Sequence, residues 1–287
     1  MNYCFGVDIG GTTVKIGLFE ETGTIVEKWE IPTNTLADGE AILPDIAFSL
    51  KTKIEERKLS EEDILGIGVG VPAPVTAEGI VNGSANLGWK YKEVKKEMEE
   101  LTGLKAYIGN DANVAALGEM WKGGGAGEKN MIMVTLGTGV GGGVIIDGKM
   151  LVGNNGAGGE IGHICVNYEE NDRCGCGNKG CLEQYASATG IVRLAEQKLK
   201  TEKRETILNK AAITAKDVFD AVKAGDEVAD EIAAEFGKYL GYGLANLAAV
   251  VNPAVFVIGG GVSKAGEVLI PYIEKPYKEP PNGMTER

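Results

Sequence analysis

Residues 3–31 read YCFGVDIGGTTVKIGLFEETGTIVEKWEI, and this stretch decides the fold because it predicts three β-strands in succession. The strands are YCFGVDIG, VKIGLFE and TIVEKWEI, and turns rich in glycine and threonine separate them. Side chains alternate across a strand, so Lys15 should point away from the face that Val14 and Ile16 share. The chain therefore begins with a three-stranded unit and a glycine-rich hairpin turn.

The same order of elements returns near the middle of the chain. A strand NMIMVTLG at 130–137 is followed by a Thr-Gly turn, a strand GGGVIID, an Asp-Gly turn and a third strand KMLVG. We interpret this repeat as a duplicated lobe and divide the chain into a small lobe, residues 1–110, and a large lobe, residues 111–287. Two such lobes would offer two sets of backbone N–H groups across a cleft, which is the outline of a phosphate clamp.

The remaining segments are predominantly helical. Apolar periodicity predicts helices from about residue 38 to 57, from 90 to 102 and from 112 to 120, and most of the chain after residue 181. A short buried strand at 254–258 then leads into three glycines at 259–261, followed by a helix from about 263 to 274. Glycines at a strand-to-helix turn would let a flat ligand approach the backbone.

Composition excludes several classes of protein. The 287 residues carry 29 Lys and Arg against 41 Asp and Glu, a net charge of −12, which argues against nonspecific binding to nucleic acid. Asn252-Pro253 interrupts the longest apolar stretch, and no basic segment precedes an apolar one at the N-terminus, so we expect neither a membrane span nor a signal peptide. Five cysteines are too few for a secreted disulfide framework. We expect a cytoplasmic protein.

Two glycine loops are candidates for binding phosphate. Glycines without side chains let backbone N–H groups reach phosphate oxygens, threonines add hydroxyl donors, a lysine adds positive charge, and an aspartate can hold Mg²⁺ through water. The alternative for each loop is an ordinary hairpin turn, but two at matching places favour the phosphate role. The candidates are Asp8, Gly10, Gly11, Thr12, Thr13 and Lys15 in or beside the first glycine loop (residues 10–13), and Gly137, Thr138 and Gly139 in the second (residues 137–139).

Three cysteines and the single histidine of the chain predict a metal site. Cys174, Cys176 and Cys181 lie in the segment CGCGNKGC, and His163 precedes them. Three thiolates and one imidazole suit a closed tetrahedral zinc site, which would stabilise the fold by several kcal/mol. The alternative is a loop with free thiols. Cys165 lies outside this set; it is an alternative to one of the four ligands, but we expect it to be a small buried apolar residue instead.

The segment GNDANVAALGE at 109–119 holds the candidate catalytic base. Asp111 would accept a proton, and Asn110 would donate a hydrogen bond to a substrate hydroxyl. An aspartate just before a helix can equally serve as its N-cap, worth about 1 kcal/mol. Phosphoryl transfer has a loose transition state in which positioning matters more than proton affinity, so an ordinary aspartate pKa is no objection to the catalytic role.

Two glutamates flank the proposed metal ligands. Glu160 precedes His163 by three residues, and Glu183 follows Cys181 by two, so a metal would hold both carboxylates on one scaffold. Carboxylates make strong hydrogen bonds to hydroxyl groups, which points to a polyol substrate. Alternatively, Glu183 is only an acidic residue in the first turn of a helix.

The ordered motifs VDIGGTTVKIG, GNDANVAALGE, VTLGTGVGGG, GAGGEIGH and CGCGNKGCLE resemble those of the ROK family of bacterial sugar kinases, glucokinases in particular, from residue 3 to about 270. The resemblance implies an α/β, two-lobed hexokinase/actin-like (ribonuclease H-like) ATPase fold with duplicated βββα lobes and a zinc-binding loop. It also implies ATP and Mg²⁺ as cofactors with structural Zn²⁺, and transfer of phosphate to the 6-hydroxyl of a hexose, glucose above all.

The same resemblance assigns roles to individual residues. Asp111 matches the catalytic base, and the third glycine loop (Gly259, Gly260 and Gly261) matches the loop that binds adenosine. The segment SANLGW at 84–89 looks like the substrate loop of the glucokinase branch. The residues that match hexose contacts are Asn86, Asn110, Asp111, Glu160, His163 and Glu183, with His163 also a zinc ligand.

Two departures from the family pattern leave alternatives open. The first strand begins at Tyr3 with no helix-turn-helix before it, which weakens the interpretation as a DNA-binding regulator. The closing segment KPYKEPPNGMTER lacks the further strand and helix of the family, so we expect a truncated or altered end. N-acetylmannosamine, N-acetylglucosamine or fructose as substrate, polyphosphate as donor, and a non-catalytic sugar sensor all remain alternatives. We expect no partner nucleic acid or membrane, and a homo-oligomer, either a dimer or a tetramer.

Overall fold

The computed structural model describes residues 2–209 and 211–279, which form two compact units. The first unit contains the described residues up to Ala115 together with Leu151–Gly158. The second contains Ala116–Met150 and the described residues from Gly159 onward. Of the closing segment, residues 280–287 lie outside the described residues.

The first unit is built on a five-stranded sheet with the order β3-β2-β1-β4-β5. β1 and β2 pair antiparallel, as do β2 and β3, whereas β1, β4 and β5 are parallel. The strands are β1 (Tyr3–Ile9), β2 (Thr13–Glu20), β3 (Ile25–Pro32), β4 (Ile64–Val71) and β5 (Ala106–Asn110). The three strands predicted at the start of the chain are confirmed, and Lys15 is exposed while Val14 and Ile16 are buried.

Four helical segments follow or connect these strands, and the second and third of them contribute buried side chains to the core. The short segment α1 (Leu36–Gly39) precedes α2 (Ile42–Arg57), α3 (Val94–Thr102) and α4 (Asp111–Lys122). The prediction that a helix starts near Asp38 was wrong, because Ala37, Asp38 and Gly39 all have positive φ and form a left-handed turn. This turn carries the chain past the loop at 84–89, where the Trp89 indole N–H donates to the carbonyl of Gly39 at 3.1 Å.

The second unit is built on a four-stranded sheet with the order β8-β7-β6-β9. Its strands are β6 (Met131–Leu136), β7 (Val140–Ile146), β8 (Lys149–Met150) and β9 (Val255–Gly259), with β6 and β9 parallel. The predicted third strand KMLVG pairs over only two residues. The chain then leaves the sheet, because residues 151–158 pack within the first unit, where Gly156 approaches the backbone of Val75.

Helices form most of the core of the second unit. They are α5 (Glu183–Ala186), α6 (Ala188–Leu199), α7 (Ala215–Lys223), α8 (Glu227–Val251) and α9 (Ile270–Lys278). A Cβ at Gly237 would lie 2.3 Å from the carbonyl oxygen of Tyr272, so the absence of a side chain at this position lets α8 pack closely against α9. The predicted helix at 263–274 is instead a 3₁₀ segment, Val262–Leu269, with positive φ at Gly266, followed by α9. No helix among the described residues is both long and apolar enough to span a bilayer.

Parallel pairing brings the functional loops to shared sheet edges. In the first unit Asp8 pairs with Gly70, and Gly70 with Gly109, so the first glycine loop and Asn110 emerge at one edge. In the second unit Thr135 pairs with Gly259, so the second and third glycine loops emerge side by side. Parallel strands end at the same edge of a sheet, which is where ligands bind in open α/β sheets.

We expect the close packing at the sheet edge where β6 and β9 end to require a glycine at residue 260. Its φ is +88°, and a Cβ there would lie 2.6 Å from the carbonyl oxygen of Leu136. We expect Gly260→Ala to lower the free energy of unfolding by about 1–3 kcal/mol, since it adds both a steric clash and backbone strain. Urea unfolding followed by circular dichroism measures this change.

Gly261 provides the matched control for this substitution. Its φ is −64°, and no heavy atom would lie within 4 Å of an added Cβ. We expect Gly261→Ala to change stability by less than about 0.5 kcal/mol. Equal losses in the two variants would contradict the packing described for β6 and β9.

Candidate active site and metal centre

The first glycine loop is held in place from one side by the end of β3. The Thr33 hydroxyl donates to the carbonyl of Gly10 at 2.6 Å, and the Thr33 N–H donates to the carbonyl of Thr12 at 2.9 Å. The N–H of Gly10 donates to the carbonyl of Thr13 at 3.0 Å and closes the hairpin turn. Gly11 and Thr12 lie at the tip of this fixed loop, where Gly11 is exposed, as are Asp8 and Lys15 beside it.

The segment at 84–89 lies against this loop. A Cβ at Gly11 would lie 3.5 Å from the Asn86 carbonyl oxygen and 3.6 Å from its Cβ. Hydrogen bonds between Ser84 and Trp89 close the segment into a compact turn, and Asn86 itself is exposed. The sequence-predicted hexose contact Asn86 therefore neighbours the first predicted phosphate loop.

Asn110, and not Asp111, caps helix α4. The Asn110 Oδ1 accepts the N–H of Asn113 at 3.1 Å, which is the bond an N-cap residue makes three positions into a helix. The Asn110 side-chain amide also donates to the carbonyl of Ala73 at 3.3 Å. The alternative that Asp111 serves as the N-cap is therefore wrong, because the residue before it fills that position.

The carboxylate of Asp111 stands at the first residue of α4. Its Oδ1 accepts the N–H of Ala112 at 2.7 Å, and its side chain is exposed at the sheet edge. Surrounding protein atoms nevertheless restrict hydration of this group, and this partial burial raises the pKa of Asp111 above its usual value, with the nearby negative charge of Asp8 as a second cause. A raised pKa makes Asp111 a better proton acceptor than an ordinary aspartate.

The second glycine loop is held by the start of helix α6. The N–H of Ala188 donates to the carbonyl of Gly137 at 2.8 Å, and the Thr189 hydroxyl donates to the carbonyl of Thr138 at 2.7 Å. The N–H of Gly137 donates to the carbonyl of Gly139 at 3.0 Å. The backbone of this loop is therefore fixed by contacts from a single neighbouring segment.

A pair of adjoining cavities runs from the second glycine loop to the third. One has a volume of about 270 Å³ and the other about 340 Å³, and they share Ala188, Thr214 and Ala215 in their walls. Thr138 lines the smaller cavity, whereas Gly261 and Val262 line the larger one. The larger cavity is also lined by three lysines, namely Lys216, Lys223 and Lys264.

The predicted metal ligands come together in the second unit. One ligand atom from each of His163, Cys174, Cys176 and Cys181 lies within 4.8 Å of all the others, and we call this set the His/Cys cluster. The Cys176 and Cys181 sulfurs are 3.6 Å apart, and the Cys174 sulfur is 3.8 Å from His163 Nδ1. Ligands at about 2.3 Å on a tetrahedron are about 3.8 Å apart, so the donors match a tetrahedral zinc in number, type and spacing.

The two glutamates border the segments that carry the His/Cys cluster. Glu160 precedes the 3₁₀ turn Ile161–His163 and is exposed. Glu183 opens α5, where its Oε2 accepts the N–H of Val140 at 3.0 Å and its Oε1 lies 3.6 Å from the Cys174 sulfur. The interpretation of Glu183 as only a first-turn acid is wrong, since its carboxylate turns to the second glycine loop.

Comparison with known proteins places this geometry in a family. The family model described as ROK family matches residues 4–284. The chain belongs to the ROK family. A glucokinase of Halalkalibacterium halodurans is 47% identical to it over 280 residues, which cover 96% of this chain and 83% of that protein.

Other ROK proteins are similar over most of the chain. A solved structure of a ROK family glucokinase from Streptomyces griseus, in complex with glucose and AMPPNP, is 34% identical, with a TM-score of 0.76 over 97% of this chain and 89% of that one. A xylose repressor of Caldicellulosiruptor bescii is 31% identical over 92% of this chain and 67% of that protein. The chain is thus similar both to kinases and to a regulator.

A partly buried polar network stabilises the loop of the His/Cys cluster, and the sequence analysis did not predict it. The Tyr185 hydroxyl and the Arg193 guanidinium both donate to the Glu170 carboxylate at 2.6 Å, and Arg193 also bonds Asp172. Although burial opposes its ionisation, these hydrogen bonds lower the pKa of Glu170 to about 2. Burial and the Glu170 charge raise the pKa of Tyr185 to about 12. No motif links these residues, which lie up to 23 positions apart.

The Glu170 network should make stability depend on pH. A pKa lowered from 4.5 to about 2 contributes stability that is fully present above pH 4.5 and is lost as the pH falls toward 2. We expect Glu170→Gln to lower the free energy of unfolding at pH 7 by on the order of 3 kcal/mol, and the difference from the parent protein to shrink below pH 4.5. Urea midpoints measured across this pH range give the comparison.

Its exposed neighbour Glu169 supplies the control. We expect Glu169→Gln to leave the pH dependence of the urea midpoint unchanged, because the Glu169 side chain is solvent-exposed. A Glu170→Gln protein whose stability deficit stays constant as the pH falls from neutrality to well below the usual glutamate pKa would show that the carboxylate charge has no stabilising role.

Proposed function

We propose that this chain catalyses the ATP- and Mg²⁺-dependent phosphorylation of glucose at its 6-hydroxyl. The observation that carries the proposal is the position of the Asp111 carboxylate at the sheet edge where the first glycine loop also lies. Asn110, and not Asp111, is the N-cap of α4, and the pKa of Asp111 is raised. Similarity to glucokinases over nearly the whole chain supports this choice of substrate.

Asp111 is the proposed general base. Its carboxylate would take the proton of the 6-hydroxyl as that oxygen attacks the terminal phosphate of ATP, and the O–P bond to ADP would break in the same step. The hydrogen bond from the Ala112 N–H at 2.7 Å fixes one carboxylate oxygen, and the carboxylate retains acceptor capacity for the hydroxyl. Positioning of this kind is the main contribution a protein makes to phosphoryl transfer.

The glycine loops are the proposed ATP site. Backbone N–H groups and threonine hydroxyls of the first and second loops would bind the phosphates, together with Lys15. The cavity of about 340 Å³ beside Gly261 would hold the adenosine, since the mixture of Val262, Phe219 and polar residues in its wall suits a base and a ribose. Mg²⁺, held through water by Asp8, would neutralise phosphate charge.

Hexose hydroxyls are the proposed partners of the remaining polar residues. Asn86, Asn110, Glu160, His163 and Glu183 offer carboxylates, amides and an imidazole, which bond hydroxyl groups. The His163 Nδ1 faces Cys174, so Nε2 is the atom that would meet the sugar. Zn²⁺ in the His/Cys cluster would hold that imidazole in one orientation.

The regulator of the same family is the second candidate, because the chain is also similar to xylose repressors. Such a protein would bind sugar without consuming ATP. A coupled assay of ADP release with glucose distinguishes the kinase from the regulator. No ADP release with any of a panel of hexoses would favour the non-catalytic sugar sensor.

We further propose that the protein is a cytoplasmic homo-oligomer, either a dimer or a tetramer.

Replacement of the proposed base tests the mechanism. We expect Asp111→Asn to lower kcat at least ~10²-fold, because asparagine cannot accept the proton. The raised pKa means that ionised Asp111 destabilises the fold above the usual aspartate pKa, so we expect no loss of Tm at pH 7. In the parent protein kcat should fall on acidification through a pKa above that of an ordinary aspartate.

Asp45 is the matched control, as an exposed aspartate in the first turn of α2. Asp45→Asn makes the same chemical change outside the proposed site and should leave kcat within about twofold of the parent value. Turnover of Asp111→Asn equal to that of Asp45→Asn would remove Asp111 from the mechanism.

Zinc content tests the proposed metal ligands. We expect about one zinc per chain by elemental analysis of protein purified without chelator, and at least ~10-fold weaker retention in Cys176→Ala, because loss of one thiolate opens the tetrahedral site. Cys165→Ala should retain zinc, since Cys165 is not part of the His/Cys cluster. A zinc-free parent protein, or equal zinc in both variants, would contradict the assignment.

A further inference from the structure

One segment of the second unit reaches the second glycine loop at three points. Thr189 and Ala188 bind the carbonyls of Thr138 and Gly137, and the Glu183 carboxylate accepts the N–H of Val140 immediately after the loop. The segment 183–189 begins two residues after Cys181. The loop proposed to bind phosphate therefore takes its position from the chain that leaves the His/Cys cluster.

Glu183 has a special place in this segment because its two carboxylate oxygens face different neighbours. Oε2 accepts the Val140 N–H at 3.0 Å, and Oε1 lies 3.6 Å from the Cys174 sulfur. A carboxylate has about four acceptor positions, so a sugar hydroxyl can be added without removal of the Val140 bond. The same rigid group can then serve the loop and the hexose at once.

The Glu183 carboxylate packs directly against Gly139, in the space that a side chain at residue 139 would fill. A Cβ added at Gly139 would lie 2.2 Å from Glu183 Oε2 and 3.2 Å from its carboxyl carbon, so a side chain there must displace the carboxylate. A Cβ at Gly137, two residues earlier in the same loop, would meet only the Gly139 carbonyl oxygen at 4.0 Å. The absence of a side chain at residue 139 thus sets the position of Glu183.

We propose that Glu183 is a coupling residue, which links occupation of the hexose site to the position of the second glycine loop through Val140. This inference rests on the proposed function and adds a second role to the hexose contact. A sugar that orients the carboxylate would orient the Val140 N–H, and the loop in turn would hold the carboxylate for the sugar. Coupling between binding sites is reciprocal, so each side can be perturbed and the other measured.

The first test alters the second glycine loop and measures the affinity for glucose. Isothermal titration calorimetry of glucose, with no nucleotide present, is compared for the parent protein, Gly139→Ala and Gly137→Ala. We expect Gly139→Ala to bind glucose at least ~10-fold more weakly, because its Cβ displaces Glu183, and Gly137→Ala to bind it within about twofold of the parent. Both substitutions lie in the same loop and add the same methyl group.

The second test alters Glu183 and measures the affinity for a nucleotide. A glutamine side chain has one acceptor oxygen where the carboxylate has two, so Glu183→Gln loses a charge-assisted bond to Val140 or distorts it. We expect Glu183→Gln to weaken binding of a non-hydrolysable ATP analogue by about threefold or more with no sugar present. A residue that touches only the hexose would leave this affinity unchanged.

The outcomes separate the coupling from the proposed function. Failure of the parent protein to bind glucose overturns both. Normal glucose binding by the parent and by Gly139→Ala, with a parental melting curve, overturns the coupling alone. Should Gly139→Ala melt below the assay temperature, the nucleotide affinity of Glu183→Gln decides, and a value equal to that of the parent overturns the coupling.

Discussion

Parallel strand pairing is the constraint on which the rest of this structure depends. Because β1, β4 and β5 run in one direction, the first glycine loop and the Asn110-Asp111 pair must emerge at one edge of the first sheet. The pairing of β6 with β9 does the same for the second and third glycine loops. The polar groups of each unit thus converge although they lie far apart in the sequence.

Local contacts then decide what each group at these edges can do. Asn110 takes the capping position of α4, which leaves the Asp111 carboxylate available for other chemistry. Thr33 fixes the first glycine loop from β3, and the segment that begins with Glu183 fixes the second. In the first two cases a residue other than the proposed functional group satisfies the backbone, whereas Glu183 bonds the backbone itself.

The sequence predicted those parts of the fold and site that depend on short-range pattern. Strand alternation placed Lys15, the spacing of Cys174, Cys176 and Cys181 predicted the His/Cys cluster, and the glycine loops marked the strand ends. Prediction failed where distant partners decide the local geometry. Residues 37–39 form a left-handed turn because they pack on the loop at 84–89. Strand β8, which begins at Lys149, is shorter than predicted because residues 151–158 belong to the first unit.

The central claim is that the Asp111 carboxylate accepts the proton of the sugar hydroxyl. A crystal structure of the protein with glucose and a non-hydrolysable ATP analogue measures the relevant distance. The account predicts a carboxylate oxygen of Asp111 about 2.6–3.2 Å from the 6-hydroxyl oxygen, on the side away from the terminal phosphate. An Asp111 side chain turned to solvent, with another group at hydrogen-bond distance from that hydroxyl, would contradict it.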